Sequence, residues 1–196
     1  MRLLFVCTGN ICRSPMAEGI ARAAIERNYS EGPVSVEVAS AGIAGLDGED
    51  PTSEAVRAME ERGIDIGECE AQTVSRSLTA ESDLVMVMEE RQKAHVSALA
   101  GSAVVPVFLL LKLAEAVQVV LKAEDLGLDQ VGPLESLESV VSVATVMERN
   151  DSWELPLHQY EVADPMGMPL EWYMRAADIM EVAIGDILRC LLGPFA

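Results

Sequence analysis

Positive charge is what this sequence has least of: 14 lysines and arginines stand against 32 aspartates and glutamates, a formal net charge of −18 over 196 residues. A surface of that sign disfavours nucleic acid and anionic membrane as partners and repels phosphorylated ligands at long range. Any phosphate pocket must therefore be built from local groups. Metal ligands are scarce as well. The cysteines, at positions 7, 12, 69 and 190, show no Cys-x2-Cys spacing, and His95 and His158 lie far apart. No metal site is indicated and no cofactor is implied. The absence of a run of about eighteen uncharged apolar residues argues against a membrane span. Met1-Arg2 leads into a short apolar stretch without a small-residue cleavage site, so a cytoplasmic protein is expected. No repeat or low-complexity segment is visible, and the length suits a single domain over residues 1–196.

What is present alternates. Apolar runs at 2–7, 34–40, 83–88 and 103–108 read as strands, separated by helical stretches at 15–28, 51–62 and 89–99. This pattern predicts an α/β three-layer sandwich with a four-stranded parallel sheet between helices. Two further apolar-rich helices are expected at 109–124 and 134–148, broken by residues 127–132. Their wide apolar faces need burial, either on the core, as a lid, or against a second copy of the chain. A last helix is expected over 169–192, with Trp172, Tyr173, Ala176, Ile179, Met180, Ala183, Ile187 and Leu191 available for its buried stripe and Cys190 as core filler.

The most informative stretch is Cys7-Thr8-Gly9-Asn10-Ile11-Cys12-Arg13-Ser14. It joins the first strand to a helix opened by Pro15-Met16-Ala17-Glu18, so its backbone N–H groups converge at a helix N-terminus, where an anion is favoured. Arg13 adds a planar fork for two phosphate oxygens. The same positive field favours the thiolate of Cys7, the form that is nucleophilic. Asn10 is expected in a left-handed backbone conformation, bracing the loop. In a doubly wound sheet, ligands bind at the carboxyl ends of the strands, where Cys7 falls. Ser40 ends the second strand on the same edge; it either supports the loop or simply precedes the turn at Gly42. A Cys-x5-Arg spacing alone is weak, but its strand-loop-helix setting is not.

Residues 6–18 resemble, nearly residue for residue, the N-terminal signature of the low-molecular-weight protein tyrosine phosphatases, bacterial type. Val162-Ala163-Asp164-Pro165-Met166-Gly167 resembles the family's Asp-Pro loop, and Val38-Ala39-Ser40-Ala41-Gly42 and Ser82-Asp83-Leu84-Val85-Met86-Val87-Met88 its second and third strands. The resemblance covers roughly 1–110 and 160–192, leaving about 109–158 as a helical insertion. It implies a phosphomonoesterase working through phosphocysteine, with Cys7 as nucleophile, Arg13 and the N–H groups of residues 8–13 as cradle, Ser14 donating to the thiolate and Asp164 as general acid. An Asp-Pro pair alone would read as turn chemistry. The implied substrates are phosphorylated proteins or small aryl phosphates, and the insertion offers a surface for a homodimer. Cys12 is either a redox partner of Cys7 or packing beneath the loop.

Three positions depart from the family. Leu46 and Met166 stand where many members place aromatic rings, and Glu68 falls where many carry histidine. A related branch that dephosphorylates arginine has threonine where this chain has Ile11, and the larger apolar side chain favours the tyrosine-type pocket. The rival readings are a thioredoxin-coupled arsenate reductase, which needs paired relay cysteines where only Cys69 is found, and a phosphate-binding module without turnover.

Overall fold

The computed structural model describes residues 1–29, 35–101, 105–124 and 133–193. Its centre is a parallel sheet of β1 (Arg2–Cys7), β2 (Glu37–Gly42), β3 (Leu84–Val87) and β4 (Val107–Leu109), in the order β2-β1-β3-β4. β1 is one of two inner strands, flanked by β2 and β3, which explains why Leu3-Leu4-Phe5-Val6 is apolar without alternation. Leu3 and Phe5 face one layer of helices and Leu4 and Val6 the other.

The first layer contains α1 (Arg13–Asn28), α2 (Ser53–Glu60), α5 (Leu110–Glu124), α6 (Pro133–Asn150) and α7 (Leu170–Leu192). The second is built on α3 (Arg76–Ala80) and α4 (Glu90–Ala100), with Val74, Val96 and Tyr160 against the sheet. Because β1 is followed on one side by β2 and on the other by β3, the order reverses beside β1, and the crevice opens at its carboxyl end. Cys7 is the last residue of that strand. Among the described residues no helix is long and apolar enough to cross a membrane.

The three-layer sandwich and all four strands are as the sequence pattern predicts; several boundaries are not. α1 begins at Arg13 rather than Pro15, because the loop hands its chain directly into the first turn, where Met16 N–H already bonds the Cys12 carbonyl at 3.1 Å. β2 runs on past Ser40 to Gly42, paired with Cys7. β4 starts at Val107 and takes Leu109 from the expected helix. Residues 34 and 103, and the break at 127–132, lie outside the described residues. The short α3, capped by Ser75 Oγ accepting from Leu78 N–H, had no apolar periodicity to announce it. α7 is correct in extent, but its buried stripe is Tyr173, Ala176, Ala177, Met180, Ala183, Ile184, Ile187, Leu188, Cys190 and Leu191. Trp172 and Ile179 are instead 42% and 47% exposed, since one residue of offset turns a helical side chain by about 100°.

α5 and α6 are both formed and pack on the core: Leu113, Ala116, Val117, Leu137, Val140 and Ala144 are buried in the same cluster as Met180 and Ile184 of α7.

Candidate active site

The loop after β1 owes its shape to its carbonyls. Those of Cys7, Thr8, Gly9 and Ile11 accept from the N–H groups of Ile43, Ala44, Leu46 and Thr52, at 3.0, 2.9, 3.1 and 2.8 Å. The peptide bonds of the loop are trans, so each carbonyl turned outward turns the next N–H inward. The N–H groups of Thr8, Gly9, Asn10 and Cys12 therefore turn away from those partners toward the inside of the loop, and Asn10 N–H donates to Cys7 Sγ at 3.3 Å. Asn10 has φ 60°, the left-handed conformation that Asn tolerates better than most residues. Gly42 lies directly behind. A Cβ there would stand 2.5 Å from the Thr8 carbonyl oxygen and 3.0 Å from Asn10 N, so only glycine lets the strand pass this close.

The side chains complete the cradle. Ser14 Oγ is 2.9 Å from Cys7 Sγ, and Asn10 Nδ2 donates to both Ser14 Oγ and Ser40 Oγ at 2.9 Å. Ser40 thus meets the loop through the Asn10 amide. Arg13 is 1% exposed. Its Nη1 donates to Glu89 Oε1 and, at 2.9 Å, to the Val162 carbonyl; its Nη2 pairs with Asp164 Oδ2 at 2.8 Å. Arg13 Nε, also buried, finds no acceptor. A buried N–H without a partner is uncommon and costly. This one lies on the guanidinium that the loop encloses.

Cys7, Ile11, Arg13, Leu46, Asp164 and Met166 all line one cavity of about 270 Å³. The structure thus brings together the residues that the sequence assigns to nucleophile, cradle, acid and wall. Leu46 and Met166 are half exposed at its mouth, and no aromatic ring lines it. Cys12 Sγ lies 3.4 Å from Thr52 Oγ1 and 4.0 Å from Tyr173 Oη. Burial pushes its thiol above the ordinary value, against the opposing influence of those two hydroxyls. Cys7, Cys12 and Cys69 form no disulfide. Glu68 does not reach this cavity. It lines another, behind the loop, with Glu18, Ser40 and Cys69.

The sequence did not announce the groups that hold Arg13 and Thr8. Glu89, at the carboxyl end of β3, holds Arg13, and its own Arg91 and Gln92 reach Thr8 Oγ1 at 3.0 and 3.2 Å. Burial acts to raise the Glu89 carboxyl, but hydrogen bonds from Arg91 and Arg13 outweigh it and hold the group below its usual value. The signal available was positional: Glu89 follows β3 at the same sheet edge as Cys7 and caps the next helix.

An anion loop closed around a cysteine, set at the switch point of a parallel sheet, defines the class of molecule to which such a chain belongs. Its family is specific: the model of the low molecular weight phosphotyrosine protein phosphatases matches residues 2–126, and the chain belongs to that family. It is 43% identical over 96 residues to a probable low molecular weight protein-tyrosine-phosphatase, EpsP, of Ralstonia solanacearum, covering 49% of this chain and 61% of that protein. Over 101 residues it is 36% identical to a protein-arginine-phosphatase of Bacillus subtilis, covering 52% of this chain and 64% of the relative. The match thus spans about six tenths of the length of these curated relatives. A solved low molecular weight protein tyrosine phosphatase from T. tengcongensis superposes with a TM-score of 0.67 at 29% identity, over 96% of this chain and 98% of its own.

Proposed function

We propose that this chain is a cysteine-dependent, metal-independent phosphomonoesterase acting on phosphotyrosine-type substrates. The observation that carries the reading is the buried Arg13 guanidinium, with Nε unpaired and Nη2 on Asp164, in the same cavity as the Cys7 sulfur. Opposed cation, nucleophile and acid are what phosphoryl transfer requires.

A phosphate dianion entering the cradle takes the Nε donor and the inward N–H groups of the loop. It displaces Asp164 from Nη2, leaving that carboxyl free to meet the ester oxygen. Cys7 thiolate then attacks phosphorus in line, the ester P–O bond breaks, and Asp164 in its acid form gives its proton to the leaving oxygen. Pro165 disfavours helical backbone at Asp164, whose Oδ1 accepts from Met166 N–H at 3.2 Å. In the second step the ionised carboxylate takes a proton from water, the water oxygen attacks phosphorus, the S–P bond breaks, and phosphate leaves with the thiolate restored. Ser14 donates to the sulfur as it becomes a leaving group again. The relatives named as tyrosine phosphatases support this substrate class, as does Ile11 in the wall. Apolar contact from Ile11, Leu46 and Met166 would replace ring stacking, giving a looser grip on an aryl group.

The test is a rapid-mixing burst with 4-nitrophenyl phosphate. A nitrophenolate burst stoichiometric with enzyme, absent in Cys7→Ser and unaffected by chelator, is expected. Turnover without dependence on Cys7, or turnover lost with EDTA and restored by a divalent ion, overturns the proposal.

A further inference from the structure

The Glu89 carboxylate is shared between two arginines. Arg13 Nη1 donates to its Oε1, while Arg91 Nε donates to Oε2 at 2.5 Å and Arg91 Nη2 to Oε1 at 3.4 Å. Arg91 Nη2 also donates to Thr8 Oγ1 at 3.0 Å, and Arg13 Nη2 stands 3.4 Å from the same oxygen. Two guanidinium groups thus converge on one hydroxyl of the loop after β1, with one carboxylate between them. They differ in exposure: the side chain of Arg13 is 1% exposed, that of Glu89 16% and that of Arg91 59%. A carboxylate that fixes a cation in place also cancels its charge toward an incoming anion. In the first step of the proposed reaction Asp164 is in its acid form, so Arg13 and Glu89 by themselves would offer a dianion no net charge. With Arg91 the cluster carries one positive charge. Among the described residues lining the cavity Arg13 is the one cation, and the further charges acting on Arg91 include the carboxylates of Asp164 and Glu161.

The position is otherwise a poor one for a cation. Arg91 is the second residue of α4, where the helix dipole favours acids. An ion pair as open as this one contributes little to stability. Folding alone therefore gives little reason for an arginine here. We infer that Arg91 is the second cation of the active-site cavity: toward an oxyanion it restores the positive charge that Glu89 withdraws from Arg13 in holding it. The inference rests on the reading of that cavity as an oxyanion cradle. Arg91 is not among the residues that line it, so it acts across Thr8 by charge and not by contact. Its effect is therefore open to screening by salt, unlike that of the buried Arg13.

The experiment is calorimetric titration of the full chain with tungstate, a dianion, at low and at high salt. Arg91→Gln is expected to weaken binding about fivefold at low salt and about twofold or less at high salt, because the charge of an exposed group is screened. Arg91→Lys keeps the charge without the fork and should stay within about twofold of wild type at low salt. Arg91→Gln combined with Glu89→Gln removes one charge of each sign and should recover most of the affinity lost in Arg91→Gln alone. An Arg91→Gln affinity equal to wild type at low salt overturns the inference. So does a loss of equal size at both salt concentrations, a Lys variant as weak as Gln, or a double variant weaker than Arg91→Gln. The fitted stoichiometry counts the folded fraction, so a variant that is merely less stable shows a lowered stoichiometry with an unmoved Kd, which also overturns it. Titration does not need turnover. A wild-type chain that follows this pattern without a nitrophenolate burst sinks the phosphatase reading alone; one that gives the burst but binds tungstate regardless of Arg91 sinks this inference alone.

Discussion

The two ends of α7 belong to differently built regions. Its N-terminal end follows the Asp164 loop, in a neighbourhood of directed contacts: Arg13, Asn10, Ser14, Ser40 and Glu89 are each held by named atoms at hydrogen-bond distance. Its middle and C-terminal turns pack on α5 and α6 through Val117, Val140, Ala144, Met180, Ala183 and Ile184, where shape and apolar area do the holding. The difference teaches where each region is fragile. A polar network fails when one member changes chemistry at constant size, because its partners are left buried and unpaired. An apolar layer tolerates exchanges of similar volume and fails when charge enters it.

The sharpest break of this comparison is Cys7→Ser, a change of one atom. Turnover should fall below detection while vanadate still binds, as measured by calorimetry; a retained rate would remove Cys7 from the chemistry. Arg13→Lys follows, with an expected loss of about 10³-fold in kcat/KM and weakened vanadate binding, since a lysine cannot reproduce the fork shared among Glu89, the Val162 carbonyl and Asp164. Asp164→Asn should cost about 10²-fold on phenyl phosphate and far less on an ester whose leaving group is acidic. A uniform loss across leaving groups would assign Asp164 to holding Arg13 alone.

On the apolar side, Val117→Asp should lower unfolding stability by about 3 kcal/mol or more, seen as a shifted denaturant midpoint. The fraction that remains folded should keep its kcat/KM for a small aryl phosphate. A folded variant with lost turnover would join α5 to the site. The smallest effect expected is with pH. The Glu89 carboxyl is held below its usual value, so its stabilisation is fully present above the ordinary carboxylate range and is lost as pH falls through its depressed folded value. Glu89→Gln should therefore flatten the acid limb of the stability profile; an unchanged limb would place the acid sensitivity elsewhere.

How legible each region was in the sequence follows from the range of its contacts. Cys7 to Ser14 form one short loop between a strand and a helix, so residue order alone carried most of the cradle, including the left-handed Asn10. Asp164 is distant in sequence, and its loop was found by resemblance rather than by physics. Glu18 was read as an acidic residue in a first helical turn, yet it is buried against Ser40, a contact that only the pairing of β1 with β2 creates. Glu89 was assigned to a helix start without a partner, because its link to Arg13 crosses from β3 to the β1 loop. In α7 the periodicity gave the helix, but the choice of face depended on where α1, α2 and α5 lie, and Trp172 and Ile179 fell on the wrong side.

The close pass of Gly42 behind the loop, where a single methyl would meet backbone at 2.5 Å, bears on when the loop becomes ordered. With glycine's backbone at its rear and four carbonyls tied outward, the loop has no room to retreat and little freedom to reshape. Its ordering is completed as the sheet assembles, not when an anion arrives. An oxyanion then meets donors already aimed, so association loses only the ligand's own freedom and the motion of Asp164 away from Arg13. Under the proposed function, recognition divides between a stiff cradle that takes the phosphate and a mouth, lined by Leu46 and Met166, that takes the rest of the ester.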